Sequence, residues 1–359
     1  MSAEIRVPAQ ALAGYCTTIF EKLGVPSRDA TTVADVLVLA DLRDKGSHGV
    51  ARLPRYVDGI RKGQMNPIDK SQVLRETATS ALVDGGKSLG QVVGRKAMNL
   101  AVDKAVANGV CFVTVRNSNH YGIAGYYAMM AVERGCIGIS MTNAAPLVVP
   151  TFGRDAILGT NPISIAAPAD GDPFLLDMAT SVVPRGKLEV CNRDGKPMPR
   201  GWAVDSRGKG TEDANEVLQN LTKRGGGGIL PLGGEGETFS GHKGYGLAMA
   251  VEVLCAALSG SALGPGTYVD ESTANIGHFF GAIKIESFRP LPEFKRDMRA
   301  FMDAVRNSPK AEGHDRIYVH GEKGFAAHKN RMDDGIPLGP KVVDSLKKVG
   351  ADVGVNWIA

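Results

Sequence analysis

The chain has 359 residues, 43% hydrophobic and 22% charged, with a formal net charge of +4. That length buries a sizeable core and allows one large α/β domain or two to three interleaved ones. Lys and Arg are mixed with Asp and Glu rather than blocked, which argues against a nucleic-acid partner.

No uninterrupted apolar run reaches membrane-spanning length, and residues 1–10 lack the apolar core of a signal peptide. No membrane partner is expected, and the chain reads as cytoplasmic. The five cysteines contain no C-x-x-C pair and read as buried, reduced thiols.

In chain order, residues 9–46 carry helical periodicity. Leu12, Tyr15, Ile19 and Phe20 share a face, Gly24 and Pro26 interrupt it, and 30–42 resume it. Lys45-Gly46 is a stop signal, and Ser47 stands where an N-cap would open a further helix. In that helix His48, Arg52 and Tyr56 recur at i, i+4 and i+8 on one face, and Pro54 kinks or limits it. A titratable imidazole beside a permanent cation suits a substrate with a carboxylate next to a carbonyl or hydroxyl. The plain alternative is a capped surface helix with a solvated His and Arg. Residues 1–72 thus read as an α-helical N-terminal segment.

Residues 65–73 read as a connector and 79–84 as a strand. Gly85-Gly86-Lys87-Ser88 then resembles the end of a Walker A loop, but Ala81 occupies the place of its first glycine. A strand–turn–helix junction, with a helix over 91–106, is the better reading. A strand over 110–115, a polar loop, a helix over 123–133 and a strand over 136–141 form a βαβ pattern, which predicts two parallel strands. Ligands of such sheets sit at the carboxyl ends of strands, where residues 117–122 fall. Gly122 and Gly125 would let a phosphate approach the start of that helix. A second polar loop, 142–146, carries Asn143 at the next carboxyl end.

Short strands over 163–167 and 174–176 follow, the latter running into Asp177-Met178-Ala179-Thr180. Residues 185–240 are polar and Gly-rich and read as an excursion from the core, a lid or an arm. The core is assigned to 73–184 and 241–325, and 326–359 to a C-terminal helical segment packing on the N-terminal one. Lys243, near the start of an apolar helix over 247–258, conflicts with the helix dipole and hints at an anionic ligand. Strands over 282–288 and 316–319 and helices over 294–305 and 342–349 complete the pattern.

The histidines are scattered without metal-ligand spacing, so no metal is expected. A G-x-G-x-x-G fingerprint and a G-x-S-x-G elbow are both missing, so a dinucleotide enzyme here needs a binding mode other than the Rossmann one.

Several motifs jointly resemble the malate/L-lactate dehydrogenase type-2 family, which includes sulfolactate and ureidoglycolate dehydrogenases and cyclic-imine reductases. They are Ser47-His48-Gly49 with Arg52 and Tyr56, Asn119-His120-Tyr121-Gly122, Gly159-Thr160-Asn161-Pro162, Leu176-Asp177-Met178-Ala179-Thr180, Arg185-Gly186-Lys187 and Gly241-His242-Lys243-Gly244-Tyr245-Gly246. The resemblance implies a non-Rossmann α/β fold with a mixed sheet flanked by helices, an α-helical portion from both chain ends, and a homodimer. It implies NAD as cofactor, with NADP as the other option, and a small 2-hydroxy or 2-oxo acid as substrate, malate/oxaloacetate first. Sulfolactate, lactate, ureidoglycolate or a cyclic ketimine is the alternative; Lys187, where the imine reductases would carry an acid, favours the hydroxy acid. A catalytically silent metabolite-binding relative is the alternative of another class.

By the same resemblance His48 exchanges the proton with the substrate oxygen, with His120 as the other acid/base candidate. Ser47, Arg52 and Thr160 would contact substrate, Arg52 holding its carboxylate. His120, Tyr121, Gly122, Ile123, Ala124, Asn143, Asp177, Met178, Ala179, Thr180, Lys243, His320, Gly321 and Glu322 would line the cofactor. His320 departs from the proline common at its place in relatives.

Overall fold

The computed structural model describes residues 4–270 and 273–358; residues 1–3 of the stretch inspected for a signal peptide lie outside them. The chain begins with a short strand, β1 (Ile5–Val7), and two helices, α1 (Ala9–Lys22) and α2 (Ser27–Leu42). In α1 the buried Leu12, Tyr15, Cys16, Ile19 and Phe20 form one stripe, and each large side chain contributes about 1.5–3 kcal/mol on leaving water. Two 3₁₀ turns, Gly46–His48 and Val50–Arg52, lead into α3 (Leu53–Arg61).

Next come β2 (Gln72–Glu76), β3 (Ser80–Asp84), α4 (Gly90–Asn108), β4 (Val110–Ser118) and α5 (Ala124–Val132). They are followed by β5 (Cys136–Thr142), β6 (Ile163–Ala167), β7 (Phe174–Met178) and α6 (Arg185–Arg193). A small sheet and a helix follow: β8 (Ala203–Val204), β9 (Gly210–Thr211), α7 (Ala214–Lys223) and β10 (Gly228–Ile229). The remainder is α8 (Gly241–Glu252), β11 (Tyr268–Asp270), β12 (Thr273–Ala274), β13 (Ile276–Lys284), α9 (Leu291–Asn307), α10 (Glu322–Asp334), β14 (Ile336–Leu338) and α11 (Pro340–Asp352).

Seven strands make one mixed sheet in the order β2-β3-β4-β13-β5-β6-β7, flanked by helices. Within this sheet, among the described residues, β3 and β4 are the one pair that runs parallel, with α4 as their crossover. The parallel pair expected from 110–115 and 136–141 does not form. Both strands point the same way, but β13 lies between them, antiparallel to each. Its first seven residues are buried, as a central strand requires.

Two glycines conceal β13 from a pattern reading, and both are steric necessities. A Cβ on Gly277 would lie 2.0 Å from the Cys255 carbonyl oxygen, and one on Gly281 would lie 3.0 Å from the Phe112 ring. Buried His278 ties the strand to its neighbours. Its Nδ1 lies 2.8 Å from Thr142 Oγ1 and its Nε2 2.9 Å from Ser118 Oγ.

Other boundaries shift for local reasons. The strand expected over 282–288 ends at Lys284 and turns into a 3₁₀ segment, Ile285–Ser287. Residues 316–319 form no strand. The connector over 65–73 runs into β2, whose five residues are all exposed and leave no apolar alternation to read. The Walker-like turn spends its backbone N–H groups on protein acceptors. Gly85 donates to Arg116 O, Gly86 to Asp84 Oδ1, Lys87 to Asn117 O and Ser88 to Gly85 O. No cradle for a phosphate is left there.

The chain ends meet. β1 pairs antiparallel with β14, Ile5 opposite Leu338, and the Tyr15 hydroxyl donates to the Leu346 carbonyl at 2.6 Å. Residues from α1, α2, α3 and α11 then share one core. The stretch read as a lid or arm packs Leu188, Met198, Val217 and Ile229 into one cluster with Val148, Leu158 and Ala248 from outside it, so it is anchored to the rest of the fold. Cys16, Cys111, Cys136 and Cys255 are buried free thiols. Among the described residues no helix is long and apolar enough to cross a membrane.

Candidate active site

The segment around His48 is not the single helix that its spacing suggests. Asp41, near the end of α2, places its carboxylate against the following turn, and its Oδ2 accepts the Val50 N–H at 2.7 Å. A Cβ on Gly49 would lie 2.0 Å from that carboxylate, so only glycine fits, and the chain breaks there into two 3₁₀ turns. Ser47 is not an N-cap; its hydroxyl lies 2.9 Å from His48 Nδ1. Pro54 sits in the first turn of α3, where its missing N–H costs nothing. His48, Arg52 and Tyr56 therefore do not line one helical face. Arg52 Nε donates to the Ser47 carbonyl at 2.7 Å and braces the turn.

His48 opens on a cleft of about 330 Å³. Its walls come from distant parts of the chain: Ser47 with His48, Gly122 to Ala124, Thr160 with Pro162, and Asp177 to Ala179. Lys187, at the start of α6, also lines it. A second lobe of about 390 Å³ adjoins the first through Asp44, Lys45 and Asp177. His320 and Gly321 line this lobe together with Arg43, Tyr318 and Lys323. At the junction Lys45 Nζ donates to Asp177 Oδ2 at 2.9 Å and to its carbonyl at 3.0 Å. Gly125 makes room, since a Cβ there would lie 2.8 Å from the same carboxylate.

Electrostatics favour a neutral imidazole in the cleft. Burial, then the Arg52 guanidinium, push the pKa of His48 down to about 4, with Asp177 pulling the other way. His120 stacks on His48, ring centroids 5.7 Å apart and planes 17° from parallel. Its Nδ1 lies 2.6 Å from the Tyr56 hydroxyl, and burial holds its pKa well below the ordinary imidazole value. His120 is not part of the cleft wall itself.

Several residues singled out from sequence are struts instead of lining. Tyr121 is buried between the rings of Tyr127 and His278, each 4.6 Å away, with its hydroxyl 3.1 Å from Ser140 Oγ. Asn143 is buried too; it donates to Glu252 and the Ala262 carbonyl and accepts the Gly277 N–H. Thr180 N–H donates to the Thr160 carbonyl at 2.9 Å, so it holds the loop on which Thr160 stands. Glu322 accepts the Val319 N–H at 3.0 Å and pairs with Arg306, fixing the turn that carries His320 and Gly321. Lys243 is exposed on α8 and lines neither lobe.

Sequence reasoning passed over Arg43, Asp44, Lys45, Pro162, Tyr318 and Lys323. Lys45 was visible only as part of a helix stop, because its partner Asp177 is 132 residues away. Among the described residues no group of three His, Cys, Asp or Glu is placed to hold a metal ion.

The cleft suits an elongated anionic cofactor. Arg43, Lys45 and Lys323 gather cations in the second lobe, and Nε and Nη1 of Arg43 are buried without a hydrogen-bond partner. Gly321 has φ +102°, and a Cβ there would crowd Phe325 and the Leu175 backbone, so the wall is kept thin by glycine.

Comparison with known proteins agrees with this geometry. Residues 7–347 match the malate/L-lactate dehydrogenase family. The chain belongs to that family. Among its relatives is a malate dehydrogenase of Pyrococcus abyssi, 51% identical over 99% of this chain and 96% of that protein. An L-sulfolactate dehydrogenase of Methanocaldococcus jannaschii is 40% identical over 94% of each. The crystal structure of an Entamoeba histolytica malate dehydrogenase superposes with a TM-score of 0.96 at 38% identity, covering 99% of this chain and 100% of that one. As a member of the malate/L-lactate dehydrogenase family, the protein is an oxidoreductase of small 2-hydroxy acids that works with a nicotinamide cofactor.

Proposed function

We propose that the protein is a malate dehydrogenase that interconverts malate and oxaloacetate with NAD, NADP being the other option. The observation that carries the choice of malate is the full-length 51% identity to a malate dehydrogenase. In this reading His48 takes the hydroxyl proton, and Ser47 and Thr160 contact the substrate from the cleft wall. Arg52, which lines neither lobe, would add its guanidinium to the carboxylate from behind the Ser47 turn. Lys187, a cation in the wall of the His48 lobe, suits the second carboxylate of a dicarboxylic acid. The nicotinamide, when bound, supplies the hydride acceptor, and the protein aligns and shields the reacting centre.

Gly122 to Ala124 and Asp177 to Ala179 would flank the reactive end of the cofactor. His320, Gly321, Arg43 and Lys323 would meet its phosphates. Tyr121, Asn143, Thr180 and Glu322 support those walls from behind, and Lys243 is assigned no contact. Met249 and, one turn on past the end of α8, Val253 form an exposed apolar strip, which supports a homodimer. The buried free thiols Cys16, Cys111, Cys136 and Cys255 suit a reducing compartment, and we place the protein in the cytoplasm.

One assay tests this reading. Oxidation of NADH and NADPH is followed by absorbance with oxaloacetate, pyruvate, sulfopyruvate and a cyclic imine. The expected result is the highest kcat/KM for oxaloacetate, and faster turnover of any other acceptor would displace malate. Sedimentation of the same preparation should give twice the chain mass of 37.9 kDa, and a monomer would remove the dimer.

A further inference from the structure

His48 lines the cleft and His120 stacks on it from behind, and hydrogen bonding at their Nδ1 atoms separates their roles. His120 Nδ1 faces two groups: the Tyr56 hydroxyl at 2.6 Å and the backbone N–H of Gly122 at 3.4 Å. A backbone N–H can only donate, so Nδ1 of His120 is the acceptor and carries no proton. The Tyr56 hydroxyl then donates as well. The remaining proton of the neutral ring is at Nε2. At His48, Nδ1 faces the Ser47 hydroxyl at 2.9 Å, an oxygen that can accept.

We infer that Tyr56 is a positioning residue that locks His120 as an Nε2–H donor and leaves His48, with Nδ1–H given to Ser47, as the only base. The inference rests on the proposed role of His48 as the base at the substrate oxygen. The two stacked rings then present opposite characters, a lone pair on His48 Nε2 and an N–H on His120 Nε2. On oxidation the substrate O–H bond breaks and its proton goes to His48 Nε2, while the C2–H electron pair leaves as the hydride of the family reaction. His120, stacked on His48 behind the cleft wall, keeps its proton and does not compete as a base.

The surroundings of His120 keep it neutral. Arg52 and Arg55 face it from the N-terminal turns and α3, His48 stacks on it, and His278 approaches from β13. Tyr56 is itself fully buried, so its hydroxyl is held in place and not exchanged with solvent.

The test reads protonation directly and needs no turnover. Two-bond ¹H–¹⁵N correlation spectra of the ¹⁵N-histidine-labelled full chain distinguish the two neutral tautomers, with the His120 signals identified by their loss in His120→Gln. The expected result is an Nε2–H pattern for His120 and an Nδ1–H pattern for His48. Tyr56→Phe should mix the His120 tautomers, lower kcat by about 10-fold, and add a second titration to the acid limb of the kcat/KM profile. An Nδ1–H pattern for His120 in the unmodified protein overturns the inference, as does a Tyr56→Phe spectrum identical to it. An enzyme with the expected tautomers but no turnover of any 2-oxo acid would instead sink the proposed function.

Discussion

Replacing His48 by alanine should lower kcat for hydroxy-acid oxidation by about 10²–10⁴-fold while cofactor affinity persists, because a general base of this kind supplies that much of the rate. His48 lines the cleft, whereas His120 lies behind it against Tyr56. The pH dependence carries the same signature. The pKa of His48 is pushed down to about 4, so in the free enzyme it stays an unprotonated base through the neutral range. Its charge is gained only as pH falls through that value, so the acid limb of kcat/KM for oxidation should lie near pH 4, well under the ordinary imidazole value of about 6.5. Steady-state rates between pH 4 and 8 check this, with nucleotide binding followed by fluorescence. A His48→Ala variant within threefold of the parent, or a limb at pH 6.5, would move the base elsewhere.

The second large effect concerns stability. Glu252, at the end of α8, is only 3% exposed, and its carboxylate accepts from three donors. Asn143 Nδ2 reaches it at 3.1 Å, Asn161 Nδ2 at 3.0 Å and the Gly264 N–H at 3.3 Å. The carboxylate thus gathers the loops after β5 and before β6, and the second of these carries Thr160. Glu252→Ala removes an acceptor from three buried donors, although Asn143 and Asn161 keep their bonds to the Ala262 and Ala248 carbonyls. With the cavity it opens, the cost is about 3 kcal/mol. Urea denaturation should show the midpoint falling accordingly. Activity should fall with it, because Thr160 loses the footing that its neighbour Asn161 provides. A loss under about 1 kcal/mol would mean that the donors find other acceptors.

Both predictions depend on residues that a sequence reading weighs differently. The family resemblance makes Asn143 and Thr180 cofactor contacts, and both stand in polar loops at the sheet ends. Gly122 to Ala124, Thr160 and Asp177 to Ala179 meet in one cleft at the sheet ends, but loop position alone marks only the region. It could not say which polar side chain in a loop faces the cleft and which faces inward. Asn143 turns to Glu252, 109 residues later, and no local pattern marks that pairing.

The sequence by itself determined the helices with a clear apolar stripe, such as α1, the strands with buried alternation, such as β5, and the family through six short motifs in order. Those features are local, because periodicity and motif spacing depend on neighbours within a few turns of chain. Tertiary structure alone decided three things. It inserted β13 between β4 and β5, since hydrogen bonding between strands does not depend on sequence separation. It broke the expected helix at Gly49, because the Asp41 carboxylate occupies the space a side chain would need. It paired Lys45 with Asp177 and Tyr56 with His120, contacts that exist only once the N-terminal turns dock on the sheet ends.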